Sequence, residues 1–97
     1  MTLVHKILTP EQRAKVIDDV QQWIADGTWD MGTAVRHLRV TVAGLQQSQF
    51  ARMCKVSLRT LIQIEGGEGN PTLKSMNAVL RPFGLQVGVV RHQRQVI

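Results

Sequence analysis

The sequence predicts a mainly α-helical bundle, with an extra amphipathic helix at the N-terminal end and a single β-strand near the C-terminal end. Three observations predict it. Apolar residues recur at three- and four-residue spacing through most of the stretch from Thr9 to Phe83, as helices with one buried face require. Residues 46–65 hold two short apolar stripes with a tight turn between them. Residues 85–91 then change to a two-residue repeat, with Leu85, Val87 and Val89 alternating with Gln86, Gly88 and Val90.

The elements follow in order. Residues 1–8 are too short and mixed to assign and could be a strand, an arm or a frayed end. Residues 9–27 form the clearest helix. Thr9 can cap it, Pro10 fits its first turn, and Gln12 completes a T-x-x-Q capping box. Val16, Ile17, Val20, Trp23 and Ile24 make its apolar face, and Gly27 closes it as a left-handed cap. The face can pack on its own domain, or also present part of a protein interface with Trp23 and Trp29 as anchors. Trp29 falls in the connector Asp26–Gly32, an uncomfortable place for an indole. Asp30 can cap the next helix, residues 31–43, in which Met31, Ala34, Val35, Leu38 and Val42 face inward and Gly44 ends the run.

The two stripes of residues 46–65 read as a helix-turn-helix. Phe50, Ala51 and Cys54 line the first helix, Leu61 and Ile64 the second, and Val56 plugs the corner between them. Ser57 can cap the second helix by accepting the Thr60 N–H. Ala51 falls where the helices would cross closest, which calls for a small side chain. With Leu61 and Ile64 inward, Leu58, Arg59, Ile62 and Gln63 point out, the face that this geometry lays in a DNA major groove. The glycine-rich turn Gly66–Pro71 lacks the strand and the following Lys-Ser/Thr of a P-loop, and reads as a connector. Thr72 caps a further helix with Leu73, Met76, Val79, Leu80 and Phe83 inward, ended by Pro82 and Gly84. A lone strand over 85–91 leaves backbone groups unpaired, so it needs a partner. A second copy of the same strand would satisfy it by two-fold pairing; residues 1–8 are the competing partner.

The run Leu45, Gln47, Phe50-Ala51, Val56-Ser57, Thr60-Leu61, Ile64-Glu65 and Gly69-Asn70-Pro71-Thr72-Leu73 resembles the Cro/repressor type of helix-turn-helix, the Xre-like regulators, over residues 31–84. Three positions depart from that pattern. Gln46 replaces a Ser/Thr cap, Lys55 stands where glycine takes a left-handed turn, and Pro82 interrupts the last helix. The resemblance implies a DNA-contacting set of Gln47, Ser48, Lys55, Ser57, Leu58, Arg59, Thr60, Gln63, Asn70 and Lys74. Within it Arg59 reads a base, and Gln47, Ser48 and Lys74 meet phosphate. Arg36 and Arg39, on the scaffold helix before the motif, are implied backbone contacts. It divides the chain into an N-terminal arm and helix (1–30), the DNA-binding domain (31–84) and a dimerisation strand with a polar tail (85–97), with Leu85, Val87 and Val89 at the dimer interface.

A helix-turn-helix followed by a C-terminal strand further resembles the HipB-like antitoxins. That likeness implies a homodimeric autorepressor of its own operon that holds a HipA-type serine/threonine kinase toxin, with Trp23 and Trp29 as candidate toxin contacts. A prophage-type or other antitoxin-type Xre regulator, and a helix-turn-helix used only for protein interaction, remain the alternatives.

Bulk properties agree with a DNA partner. Residues 1–30 carry three Lys/Arg against five Asp/Glu, and residues 31–97 nine against two, leaving −2 and +7. The motif-bearing part is the basic part, as phosphate binding requires. A chain of 97 residues suits one domain and one core. No catalytic constellation, cofactor loop or metal-ligand spacing is present; His5, His37 and His92 are each isolated. No apolar run is long enough to span a bilayer and no signal peptide is evident, so the expected setting is the cytoplasm. The single cysteine, Cys54, lies on an inward stripe and reads as a small buried hydrophobe.

Overall fold

Thr9 opens the chain's first helix as the capping box requires. In the computed structural model, which describes residues 7–91, its hydroxyl accepts the Gln12 N–H at 3.1 Å while Gln12 Oε1 accepts the Thr9 N–H at 2.9 Å. The helix, α1 (Pro10–Ala25), ends just before Gly27, whose φ is 81°. Val20 is wholly buried, and Val16, Ile17, Trp23 and Ile24 are partly buried against the core. So α1 packs on its own domain, against α2 (Met31–Leu38).

Asp30 caps α2 by accepting the Thr33 N–H at 2.8 Å, and this bond, with the Thr33 hydroxyl, holds its carboxyl below the usual carboxylate range. Trp29 is half-buried rather than stranded on its loop. Its ring lies 4.5 Å from that of Trp23 and 4.9 Å from that of His37. The helix expected over 31–43 is not uniform. After Leu38 the residues Arg39–Ala43 form a π-helical turn, closed by the Gly44 N–H on the Arg39 carbonyl at 2.8 Å. Five residues of apolar spacing do not separate an i→i+5 from an i→i+4 ladder, so the sequence carries no mark of the switch.

The motif helices are α3 (Gln47–Cys54) and α4 (Leu58–Gly66), and α5 (Leu73–Leu80) closes the bundle. Ala34, Val35, Leu38, Phe50, Leu61 and Val79 are fully buried between these helices, each worth roughly 1.5–3 kcal/mol for the larger aliphatic and aromatic side chains. Ala51, also buried, keeps the close crossing that its size predicts. Gly32 does the same work between α2 and α4. A Cβ there would collide with the carbonyl oxygen of Ile64 and lie 2.8 Å from that of Glu65. Pro82 does not remove Phe83 from the core. It starts a 3₁₀ turn, Arg81–Phe83, that delivers Phe83 to a stacked contact with Phe50, ring centres 5.9 Å apart.

Two expectations fail. Leu73, expected inward, is 62% exposed, because it is the first residue of α5 and lies before that helix's apolar face meets the core. The strand expected over 85–91 is absent: no strand occurs among the described residues, and 85–91 is irregular chain. A ladder needs a second strand, and no described part of this chain supplies one. Instead Leu85 packs partly on the core, the Val87 N–H donates to Asn77 Oδ1 at 2.8 Å, and Val89 and Val90 stand in solvent. Residues 1–6, the alternative partner for that segment, and the expected tail at 92–97 lie outside the described residues, as do His5 and His92.

Candidate nucleic-acid interface

The turn between α3 and α4 sets how the second helix is offered to a ligand. Lys55 adopts the left-handed conformation, φ 60° and ψ 40°, which costs a non-glycine residue roughly 1 kcal/mol. The backbone uses it fully. The N–H groups of Lys55 and Val56 cap the last carbonyls of α3, bonding Arg52 and Ala51 at 3.2 and 3.0 Å. The turn the sequence pattern asks for is therefore made with lysine in the glycine position. Val56 packs on the core, and Ser57 accepts the Thr60 N–H at 3.0 Å while donating its own proton to Thr60 Oγ1 at 2.7 Å.

At the other end of the motif a buried ion pair fixes three elements at once. Arg39 Nε and Nη2 donate to the two carboxylate oxygens of Glu65 at 2.7 and 3.0 Å, with 10% and 4% of the respective side chains exposed. Arg39 Nη1 donates to the Leu45 carbonyl at 2.8 Å, and Gln47 Nε2 donates to Glu65 Oε1 at 3.0 Å. The end of α2, the start of α3 and the end of α4 are thus tied through one carboxylate. The implied role of Arg39 as a backbone contact is corrected by this finding: its side chain is nearly buried, and each of its three guanidinium nitrogens is bonded inside the domain. The Gln47 amide is committed as well, so the implied phosphate contact at Gln47 is left to its main-chain N–H, which lies in the first turn of α3 beside that of Ser48.

The remaining implied contacts lie where a ligand can reach them. Ser48, Lys55, Ser57, Leu58, Arg59, Asn70 and Lys74 are exposed, and Arg36 and Arg52, exposed too, add charge to the same half of the chain. Thr60 and Gln63 are half-buried; the Gln63 amide lies against Gly69, 3.1 Å from where a Cβ would be. Residues 31–64 contain no Asp or Glu, and the next carboxylate, Glu65, is neutralised by Arg39. Glu68, exposed in the loop after α4, is the one acid left on a surface otherwise dominated by cations, the balance a polyanion favours. Burial pushes the Cys54 thiol up to about 11, so it stays protonated at neutral pH. Among the described residues no group of three His, Cys, Asp or Glu is placed to hold a metal ion, and no helix is long and apolar enough to cross a membrane.

A second helix, capped by Ser57 and presenting Arg59 on its outer face, held against a first by a tight left-handed turn, has the form of a helix-turn-helix DNA-binding domain. The helix-turn-helix family profile matches residues 36–89, and the chain belongs to that family, in its Xre/Cro type. Its domains are DNA-binding regulatory modules, not catalytic ones. No match is found among curated proteins or among solved structures.

Proposed function

We propose that this protein is a sequence-specific transcriptional repressor that binds operator DNA in the cytoplasm as a homodimer, with α4 in the major groove. The observation that carries this reading is the outer face of α4. Arg59 leaves its first turn into solvent, and the one acid of α4, Glu65, is internally paired. A guanidinium there can donate two bonds to the O6 and N7 of guanine. Lys55, Asn70, Lys74 and the N-terminus of α3 would hold the phosphates on either side, fixing register without reading sequence. A mobility shift on the DNA upstream of its own coding sequence tests the reading; a protein that retards specific and random duplexes alike at every salt concentration does not have this function.

The antitoxin of a HipA-type kinase is the finer reading, and it rests on the resemblance and on the exposed valines of the irregular segment 85–91, not on a matched relative. In that reading the segment pairs across the dimer and the Trp23–Trp29 pair is offered to the toxin. Co-purification of a kinase encoded beside it, lost on changing Trp23 or Trp29 to Ala, would support it; an operon without a kinase would remove it.

A further inference from the structure

The exposed face of α4 is more apolar than folding requires. Leu58 and Ile62 are 43% and 48% exposed, while the core is served by Leu61 and Ile64, whose stripe is turned roughly 110° away around the helix. Four residues apart, they stand one above the other on one face, with Arg59 exposed beside them. Charge narrows what could cover them. Arg52, Lys55 and Arg59, the charged residues of the motif from the end of α3 through the first turn of α4, are all exposed cations, and no Asp or Glu occurs in residues 31–64. The ligand that meets both demands is anionic overall and apolar at two points. Duplex DNA has one apolar group in its major groove, the thymine 5-methyl.

We infer that Leu58 and Ile62 read thymine methyl groups, making A·T pairs beside the Arg59 position part of what this protein selects. This rests on the DNA-binding reading above and adds to it the chemistry of the bases chosen. Four helical residues advance about 6 Å, which spans about two base-pair steps, so the two thymines belong to one half-site.

The experiment starts from a random duplex pool selected on the full chain, which yields the preferred site. That site is resynthesised with deoxyuridine at one thymidine at a time, deleting the methyl and leaving every hydrogen-bonding edge in place. The expected result is a loss of about fourfold at the read thymines, the worth of one methyl-sized group. Leu58→Ala and Ile62→Ala should each abolish the penalty at one position, with preference at the Arg59 position kept. Both variants replace exposed side chains by the best helix former, and unchanged circular dichroism and melting confirm that they fold. If no thymine is sensitive, or if the penalty persists in both variants because the methyl acts through duplex stiffness, the inference is overturned. A pool that enriches no sequence overturns the DNA-binding reading itself, a result distinct from either.

Discussion

Arg39 and Glu65, 26 positions apart in the chain, meet at 2.7 Å in a nearly buried pair that also engages Gln47 and the Leu45 carbonyl. The pair makes the orientation of α4 depend on α2. It sits at the end of α4 away from the Ser57 cap, so the helix is fixed at both ends: by the turn at Lys55–Ser57 and by the carboxylate at Glu65. A helix that reads bases must be held this way, since a rotation would carry its outward side chains, Arg59 among them, out of register with the groove.

Breaking the pair leaves a charge in the interior without a partner. Arg39→Ala or Glu65→Ala should therefore cost about 3–5 kcal/mol in urea unfolding. The double variant Arg39→Met with Glu65→Leu should recover most of it, the shortfall coming from the Leu45 carbonyl and the Gln47 amide left without their partners. A single variant that loses less than about 1 kcal/mol would show the pair to be solvated in solution.

Gly32→Ala tests how closely α2 and α4 approach. The added methyl meets backbone, the Ile64 and Glu65 carbonyls, which cannot rotate away as a side chain would. The helices must separate, at a cost of about 1–3 kcal/mol in unfolding free energy. Because Glu65 would move with α4, operator affinity should fall beyond what the stability loss explains.

The left-handed Lys55 makes a two-sided prediction. Lys55→Gly relieves the strained φ of 60° and should raise stability by about 1 kcal/mol. If Lys55 also meets a phosphate, the same change should weaken binding to all sequences alike and make the log–log salt slope shallower by about 0.9. A more stable variant with an unchanged slope would take Lys55 out of the interface while leaving the turn account intact.

Why some of this was legible in the sequence follows from the range of each interaction. The caps at Thr9, Asp30, Ser57 and Thr72 act within three residues, so local spelling specifies them, and all four form. The inward stripe of Phe50, Ala51, Leu61 and Ile64 is equally local in period. The Arg39–Glu65 pair is not, since neither residue announces its partner. A signal was present all the same. Arg39 follows Val35 by four and Glu65 follows Leu61 by four, which places opposite charges on two buried stripes. The π turn over Arg39–Ala43 left no such trace. The segment 85–91 misled because a two-residue period reports a strand's faces, not whether an edge partner exists.

Arg59→Ala should lower affinity for the selected site by about 1–3 kcal/mol and relax preference at one base position per half-site. Selection from a random pool with the variant reads both effects. Uniform weakening with every preference kept would make Arg59 a phosphate contact, and the base-reading role would pass to another residue of α4.

The last prediction concerns Val87, whose N–H is bonded to Asn77 Oδ1 and whose neighbours Val89 and Val90 have no cover among the described residues. If two copies pair this segment, they satisfy its free backbone groups, cover its valines and fix the separation of the two α4 helices. That separation must be near one helical turn, about 34 Å, for both to reach successive major grooves. Dimerisation and operator binding should then fail together. Val87→Pro removes the donor needed for a ladder and also the bond to Asn77, so it needs a control. Asn77→Ala removes only the bond inside the chain, at a cost of about 0.5–1.5 kcal/mol. The expected outcome is that Val87→Pro folds, sediments as a monomer and loses specific binding, while Asn77→Ala remains a dimer that binds its site. If Val87→Pro stays dimeric with normal affinity, the contact between copies lies elsewhere and the segment serves only to cover the end of α5. If Asn77→Ala is the variant that dissociates, it is the anchoring of the segment on α5, and not strand pairing, that the dimer depends on.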